Sequence, residues 1–301
     1  MRPARPCRNR FNWRRRDASR YSAAMRRPPR LLLLGAFTAA ALAAIAGGAW
    51  FALSPEPAET LEEALPLPPE PPRLADGPEM ENCLGLLRLD PEGALAYAMR
   101  WEIEEGGEGA RQCGGLAMIA LGEPRRAAER LEDLARSSRA GQSARAAVFT
   151  QAAQAWLMAG DANRAYGATT MALTLTPDDA DLLVDRAVAL GTIGRYGEAV
   201  MDLDRALAID PVRAEALVFR AAAWRHLDRA EPARRDVERA LSISPDNPEA
   251  LLERGILRQL GGDTEGARMD WERAVELSPN SATADLALQN LALNEAGPSR
   301  R

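Results

Sequence analysis

Side chains that commonly carry out catalysis are scarce in this chain. His226 is the only histidine, which excludes a metal site with two histidine ligands and leaves at most one imidazole base. All 38 basic residues are arginine, so a phosphate-binding loop that ends in lysine is excluded as well. There is no Cys-x-x-Cys pair, and no serine lies in a nucleophile-elbow pattern. The sequence therefore predicts a protein that is not an enzyme and that uses no cofactor and no metal.

Three arginines are matched with three aspartates at a constant spacing. Each arginine precedes its aspartate by sixteen positions, and the pairs are Arg186 and Asp202, Arg220 and Asp236, and Arg254 and Asp270. One repeat period before the first pair, both positions are alanine, Ala152 and Ala168. Because the two members of a pair are present or absent together, we predict a fork-shaped arginine–carboxylate bridge in each pair. The alternative is a site for a charged ligand.

Two of the three cysteines, Cys83 and Cys113, lie close enough in sequence to link neighbouring elements. If this part of the chain faces an oxidising compartment, we predict a disulfide between them. The alternative is two small buried thiols. Cys7 lies in the basic N-terminal stretch and is predicted to stay reduced.

A 34-residue period runs through the second half of the chain. It places four prolines, Pro177, Pro211, Pro245 and Pro279. Twelve positions before each proline is an alanine, namely Ala165, Ala199, Ala233 and Ala267. Small residues let two helix backbones approach closely, a glycine ends the first helix of each pair, and proline ends the second. A fixed period of this length predicts stacked pairs of helices.

This pattern resembles the tetratricopeptide repeat family, whose units are helix–turn–helix motifs with the same period. Four units match, 146–179, 180–213, 214–247 and 248–281, and together they cover 136 of the 301 residues. The resemblance implies an all-α fold, a tetratricopeptide-repeat α-solenoid of antiparallel helix pairs. The third unit departs from the pattern because Asp228 stands where the other units have a turn glycine.

The segments on either side of 146–281 are predicted to cap the stack, since terminal repeats of solenoids are atypical. Residues 79–145 are predicted to be a helical capping region, and 108–139 within it repeats the turn spacing as one degenerate unit. Residues 282–301 are predicted to be a capping helix and tail. Four leucines of that helix are expected to cover the last unit, Leu286, Leu288, Leu291 and Leu293.

The N-terminal part has the pattern of a membrane anchor. Residues 31–53 contain no charged side chain and are long enough to span a bilayer. Residues 1–30 contain eleven arginines and one aspartate, a charge of +10, which favours a basic cytoplasmic tail and translocation of the downstream chain. We therefore predict a single-pass protein of the bacterial inner membrane with its repeats in the periplasm. A cleaved signal ending at Ala46 and a translation start at Met25 remain alternatives.

Between the anchor and the repeats, residues 54–78 hold eight prolines and six acids, which predicts an extended, semi-rigid linker. Without residues 1–30 the chain has 27 arginines and 42 acids, a charge of −15. An acidic chain is a poor partner for nucleic acid, so no nucleic-acid binding is predicted.

The resemblance implies that the first helix of each unit lines a binding groove. The groove residues that it implies are Val184, Asp185, Val188, Val218, Phe219, Arg225, Leu252, Glu253 and Ile256. The alternative for the aliphatic members is ordinary helix packing, since apolar stripes at helical spacing are usually core. The function predicted is a non-catalytic scaffold that binds a protein or peptide segment. The alternative is a regulatory or accessory subunit of an envelope enzyme, transporter or assembly complex.

Overall fold

The computed structural model describes residues 73–296, and every regular element within this range is an α-helix. The thirteen helices of the range are α1 (Pro78–Leu89), α2 (Pro91–Ile103), α3 (Gly107–Ala120), α4 (Pro124–Ser137), α5 (Gln142–Met158), α6 (Ala162–Leu175), α7 (Ala180–Thr192), α8 (Tyr196–Ile209), α9 (Ala214–His226), α10 (Ala230–Ile243), α11 (Pro248–Leu260), α12 (Thr264–Leu277) and α13 (Ala282–Ala296). Consecutive helices pack against each other along the whole series. First helices of adjacent pairs also meet, as α7 meets α9 and α9 meets α11.

The helix pairs of the array turn through a shared backbone motif. At the end of α5, Gly160 has a φ of 78°, and the backbone N–H of Asp161 donates to the carbonyl of Trp156 at 2.9 Å. This is the Schellman arrangement, which needs a residue in the left-handed region. Asp228 takes that conformation in the third unit with a φ of 60°, a region that Asp tolerates better than most side chains. The motif is therefore kept in the unit that lacks the glycine.

Small residues are needed where the two helices of a pair cross. Ala187 and Ala221 are fully buried at this crossing. In the fourth unit the equivalent residue is Gly255, and a Cβ added there would come within 2.3 Å of Trp271 Nε1. Trp271 is 1% exposed and donates to the carbonyl of Leu252 at 3.2 Å. The bulk of Trp271 therefore takes the space of the missing methyl group.

At the N-terminal end, a disulfide joins Cys83 of α1 to Cys113 of α3, with the two Cα atoms 6.1 Å apart. The predicted linker extends to residue 78, but α1 already begins at Pro78, and Leu74 packs against the main core. The last residues of the linker therefore fold onto the helical part of the chain, because Leu74 is an apolar side chain that becomes half-buried there.

The predictions for residues 1–30 and 31–53 concern parts of the chain that lie outside the described residues. Among the helices of residues 73–296, none is both long and apolar enough to cross a bilayer.

At the C-terminal end, α13 covers the last pair with only part of its apolar surface. Leu286 and Leu291 pack against the core, whereas Leu288 and Leu293 are 51% and 56% exposed. The structure thus places two of the four leucines on the fourth unit. The other two lie on the outer side of a helix that has no following partner within the described range.

Candidate interaction surface

The three spaced arginine–aspartate pairs form forks between the two helices of a unit. Arg186 donates from Nε and from a terminal nitrogen to the two carboxylate oxygens of Asp202, at 2.7 and 2.6 Å. Arg220 and Asp236 have the same geometry at 2.8 and 2.7 Å, and Arg254 and Asp270 at 2.9 and 2.7 Å. The aspartates are nearly buried. The hydrogen bond to Asp202 raises the pKa of the Arg186 guanidinium above its ordinary value, against the effect of burial.

One fork also connects neighbouring units. Arg220 donates from its remaining terminal nitrogen to Asp204 of α8 at 2.7 Å, while its fork holds Asp236 of α10. Arg254 lies 3.8 Å from Glu238, which is one repeat period after Asp204. In this structure the charges of the forks therefore hold helices together.

The structure also shows a second periodic set of arginines, which the sequence analysis does not predict. Arg205 and Arg239 each donate to a backbone carbonyl 28 residues earlier, that of Pro177 at 3.0 Å and that of Pro211 at 2.7 Å. Arg273, one repeat period after Arg239, instead reaches the carboxylate of Asp246 at 2.9 Å. The regular spacing of these arginines is visible in the sequence, but their acceptors are mostly backbone atoms that no side-chain pattern reveals.

The aliphatic groove candidates divide into two groups. Val184, Val218, Leu252 and Ile256 belong to the main core and are at most 5% exposed. For these four residues the structure favours the alternative of ordinary helix packing, because their neighbours are other core side chains.

The second group forms a cluster of its own on the first helices. Val188 of α7 and Ala222 of α9 contact each other, and Leu157 and Phe219 pack beside them half-buried. We call these four residues the floor cluster. Phe219 also borders the main core, but Val188 and Ala222 are grouped apart from it. Val188 and Ala222 are themselves buried where α7 packs on α9, so the accessible part of the floor cluster is the pair of half-buried side chains, Leu157 and Phe219.

Two of the charged groove candidates, Arg225 and Glu253, form an ion pair with each other in the structure. Arg225 of α9 donates to Glu253 of α11, at 2.5 Å from Nε and 3.3 Å from a terminal nitrogen. The side chains are 7% and 0% exposed. Burial raises the pKa of the Glu253 carboxyl group above its ordinary value, and Arg225 opposes that rise. This pair connects the third and fourth units.

The acidic candidate of the second unit, Asp185, is 7% exposed on α7. The acids in the first turns of α7 and α11 are also engaged: Arg213 pairs with Asp181, and Thr283 donates to Glu249 at 3.2 Å. Within residues 73–296, no three acidic, histidine or cysteine side chains are arranged to hold a metal ion.

Stacked antiparallel helix pairs with this repeated turn, crossing and fork define a protein of the tetratricopeptide-repeat fold. A family model described as tetratricopeptide repeat matches residues 220–292, about a quarter of the chain, and supports that family for this segment. No curated protein matches the sequence.

Solved structures agree on the fold. The chain is similar to a tetratricopeptide repeat protein from Parabacteroides merdae, with 14% identity, a TM-score of 0.56, and coverage of 72% of this chain and 83% of that one. It is also similar to a thermophilic TPR protein of Thermus thermophilus, with 19% identity, a TM-score of 0.51, and coverage of 63% and 100%. At these identities the likeness concerns the fold.

Proposed function

We propose that this protein is a non-catalytic scaffold that holds a segment of another protein on the first helices of its repeats. The observation that carries the proposal is the floor cluster, in which the half-buried side chains of Leu157 and Phe219 lie beside the buried Val188 and Ala222 where α5, α7 and α9 meet. Repeat arrays use such continuous faces for binding because each unit adds to one extended surface.

We further propose that residues 31–53 anchor the chain in the bacterial inner membrane and that the repeats lie in the periplasm. The uncharged stretch and the +10 charge before it support this topology. The Cys83–Cys113 disulfide supports it too, since disulfides persist in oxidising compartments. Protease added outside spheroplasts should degrade the repeats, and full protection of the repeats would contradict the topology.

The binding function is tested by crosslinking and pull-down from native membranes. The intact chain is compared with a Phe219→Glu variant, which places a charge in the floor cluster, and with Met201→Glu. Met201 is 66% exposed on α8, so its variant introduces the same charge away from the cluster. A partner captured by the intact chain and the Met201→Glu variant, but lost from a folded Phe219→Glu variant, is the expected result. Capture by all three would contradict binding at the floor cluster.

The same experiment separates the scaffold from the regulatory subunit of the sequence alternative. Copurification with one enzyme at a fixed stoichiometry, with loss of its activity on deletion of this chain, would favour the subunit role. A set of partners that share only a binding segment would favour the scaffold.

A further inference from the structure

Helix α2 of the N-terminal cap has an apolar strip on the side that faces away from its neighbours. Its buried residues are Ala94 and Ala98. On the opposite side, Ala96, Met99 and Ile103 follow at spacings of three and four, which places them on one face of the helix. Met99 and Ile103 are 59% and 83% exposed, and Ala96 is exposed as well. We call these three residues the α2 strip, and within residues 73–296 no other helix covers it.

The residues around the α2 strip are arranged symmetrically about Ala96. Glu92 lies four positions before Ala96 and Arg100 four positions after it, and both side chains are exposed. Within the described range no ion pair uses either of them. Leu89, the last residue of α1, lies seven positions before Ala96 and is 88% exposed, while Ile103 lies seven positions after it. Opposite charges and large aliphatic side chains thus occur in matching places at the two ends of the strip.

This symmetry fits a second copy of the same chain. A two-fold axis places each residue before the axis opposite the residue that follows it at the same distance. We infer that two copies of this chain pair through the α2 strip, with the two α2 helices antiparallel and Ala96 at the axis. Glu92 of each copy then meets Arg100 of the other, and Leu89 of each copy lies beside Ile103 of the other. The small side chain of Ala96 lets the two helices approach closely.

The other acids near the ends of α2 are held within their own chain. Asp90 accepts a hydrogen bond from the backbone N–H of Gly93 at 2.9 Å, and Glu102 accepts one from Arg130 of α4 at 2.6 Å. Their charges are therefore occupied in the cap and do not set the two copies against each other. The charges that remain on the strip, Glu92 and Arg100, are complementary.

The pairing is weak by itself, because one helix face is smaller than the interface of about 1,200–2,000 Å² that a stable complex buries. Copies held in one membrane have a raised effective concentration, which favours the pair. The inference goes beyond the proposed function and does not use the floor cluster.

Cysteine crosslinking of the full chain in native membranes tests the pairing. Cys7→Ser removes the cysteine that is outside the disulfide, and Ala96→Cys is added to that chain. A residue on a two-fold axis lies next to its own copy, so mild oxidation should give a disulfide-linked homodimer on a non-reducing gel. The matched control is Ala208→Cys, which places an exposed cysteine on α8 and should stay monomeric.

Charge reversal in the Ala96→Cys chain tests the register. Glu92→Arg alone, or Arg100→Glu alone, places like charges opposite each other twice in the dimer and should lower its yield by about threefold or more. The two reversals together restore opposite charges, so the yield should return to within about twofold of the starting chain. Glu295→Arg reverses an exposed acid on α13 and should leave the yield unchanged.

Three results would overturn the inference. They are a homodimer yield no higher for Ala96→Cys than for Ala208→Cys, crosslinking of Ala96→Cys only to a different protein, and a double reversal that stays as low as the single ones. Phe219→Glu should leave the crosslinked dimer unchanged. Partner capture that is independent of Phe219, with the homodimer intact, would therefore contradict the proposed function and leave the pairing of copies in place.

Discussion

The guanidinium of Arg220 is shared by two carboxylates, so its removal leaves Asp236 nearly buried without its fork. We expect Arg220→Ala to lower the free energy of unfolding by about 2–3 kcal/mol, the usual range for losing hydrogen bonds to a charged group that stays buried. Urea titration followed by circular dichroism measures the change. Partner capture in the pull-down should be unaffected in the folded variant, since Arg220 is not one of the floor-cluster residues.

The chain contains the matched control for this prediction. Its first unit has Ala152 and Ala168 where the others have the fork, so a unit can fold without either charge. The double variant Arg220→Ala with Asp236→Ala should therefore be more stable than Arg220→Ala alone, because no carboxylate is left buried without its partner. A double variant that is less stable than the single one would show that Asp236 has other essential partners.

Because Glu253 is buried, we expect the stability of the folded protein to depend on pH. Burial raises the pKa of the Glu253 carboxyl group above its ordinary value of 4.5. Over a pH range above 4.5 the folded chain therefore keeps the carboxyl proton that the unfolded chain has lost. The folded state binds more protons there, and the contribution of Glu253 to the free energy of unfolding falls as the pH rises through that range. Subtracting the stability of Glu253→Gln from that of the intact chain, at several pH values from 4.5 to 8, isolates this contribution. A difference that stays constant or grows with pH would contradict the assignment.

At the scale of helix pairs, the crossing in the fourth unit depends on Gly255. Its replacement by alanine would bring a Cβ within 2.3 Å of Trp271. We expect Gly255→Ala to destabilise the protein by about 1–3 kcal/mol, the usual cost of overpacking a core. Gly167 of α6 is the control, because a Cβ there meets nothing within 4 Å. Gly167→Ala should stabilise by about 0.5–1 kcal/mol through helix propensity alone.

A second variant tests the cause. The second unit fills the same crossing with Ala187 and Leu203. Gly255→Ala combined with Trp271→Leu copies that pair and should recover most of the stability lost in Gly255→Ala, as measured by thermal unfolding. No recovery would mean that Trp271 is not what limits the space at residue 255.

Across the whole molecule, the 34-residue period predicts most of the helices and the partners of the spaced arginines, because both depend on residue type and spacing. It does not separate Val184, which faces the main core, from Val188 of the floor cluster one turn later. Both are aliphatic residues at first-helix positions, and which cluster each joins depends on the side chains that the folded helices bring next to it. The 34-residue period also does not predict the hydrogen bond between Leu74 and Gln112, because these residues are 38 positions apart and lie outside the repeats.

The disulfide should stabilise one end of the stack rather than the whole of it. In helix α1 only Met80 and Cys83 are buried, so little apolar surface holds this helix once the bond to Cys113 is gone. Repeat stacks lose structure locally because each unit contacts only its neighbours. We expect a Cys83→Ser, Cys113→Ser chain to exchange the amide hydrogens of α1 and of residues 73–76 rapidly while α5 to α12 stay protected, as followed by hydrogen-exchange mass spectrometry.

The matched control is Cys7→Ser, which removes a cysteine outside the bond and should leave the exchange of α1 unchanged. The chain-entropy model assigns about 3–4 kcal/mol to a bond that closes a loop of this length. That stabilisation applies to the opening of α1, so the main unfolding transition of the repeats should move far less than the exchange rate of α1 does. Simultaneous loss of protection in α1 and α11 would instead show that the cap and the repeats unfold as one cooperative unit.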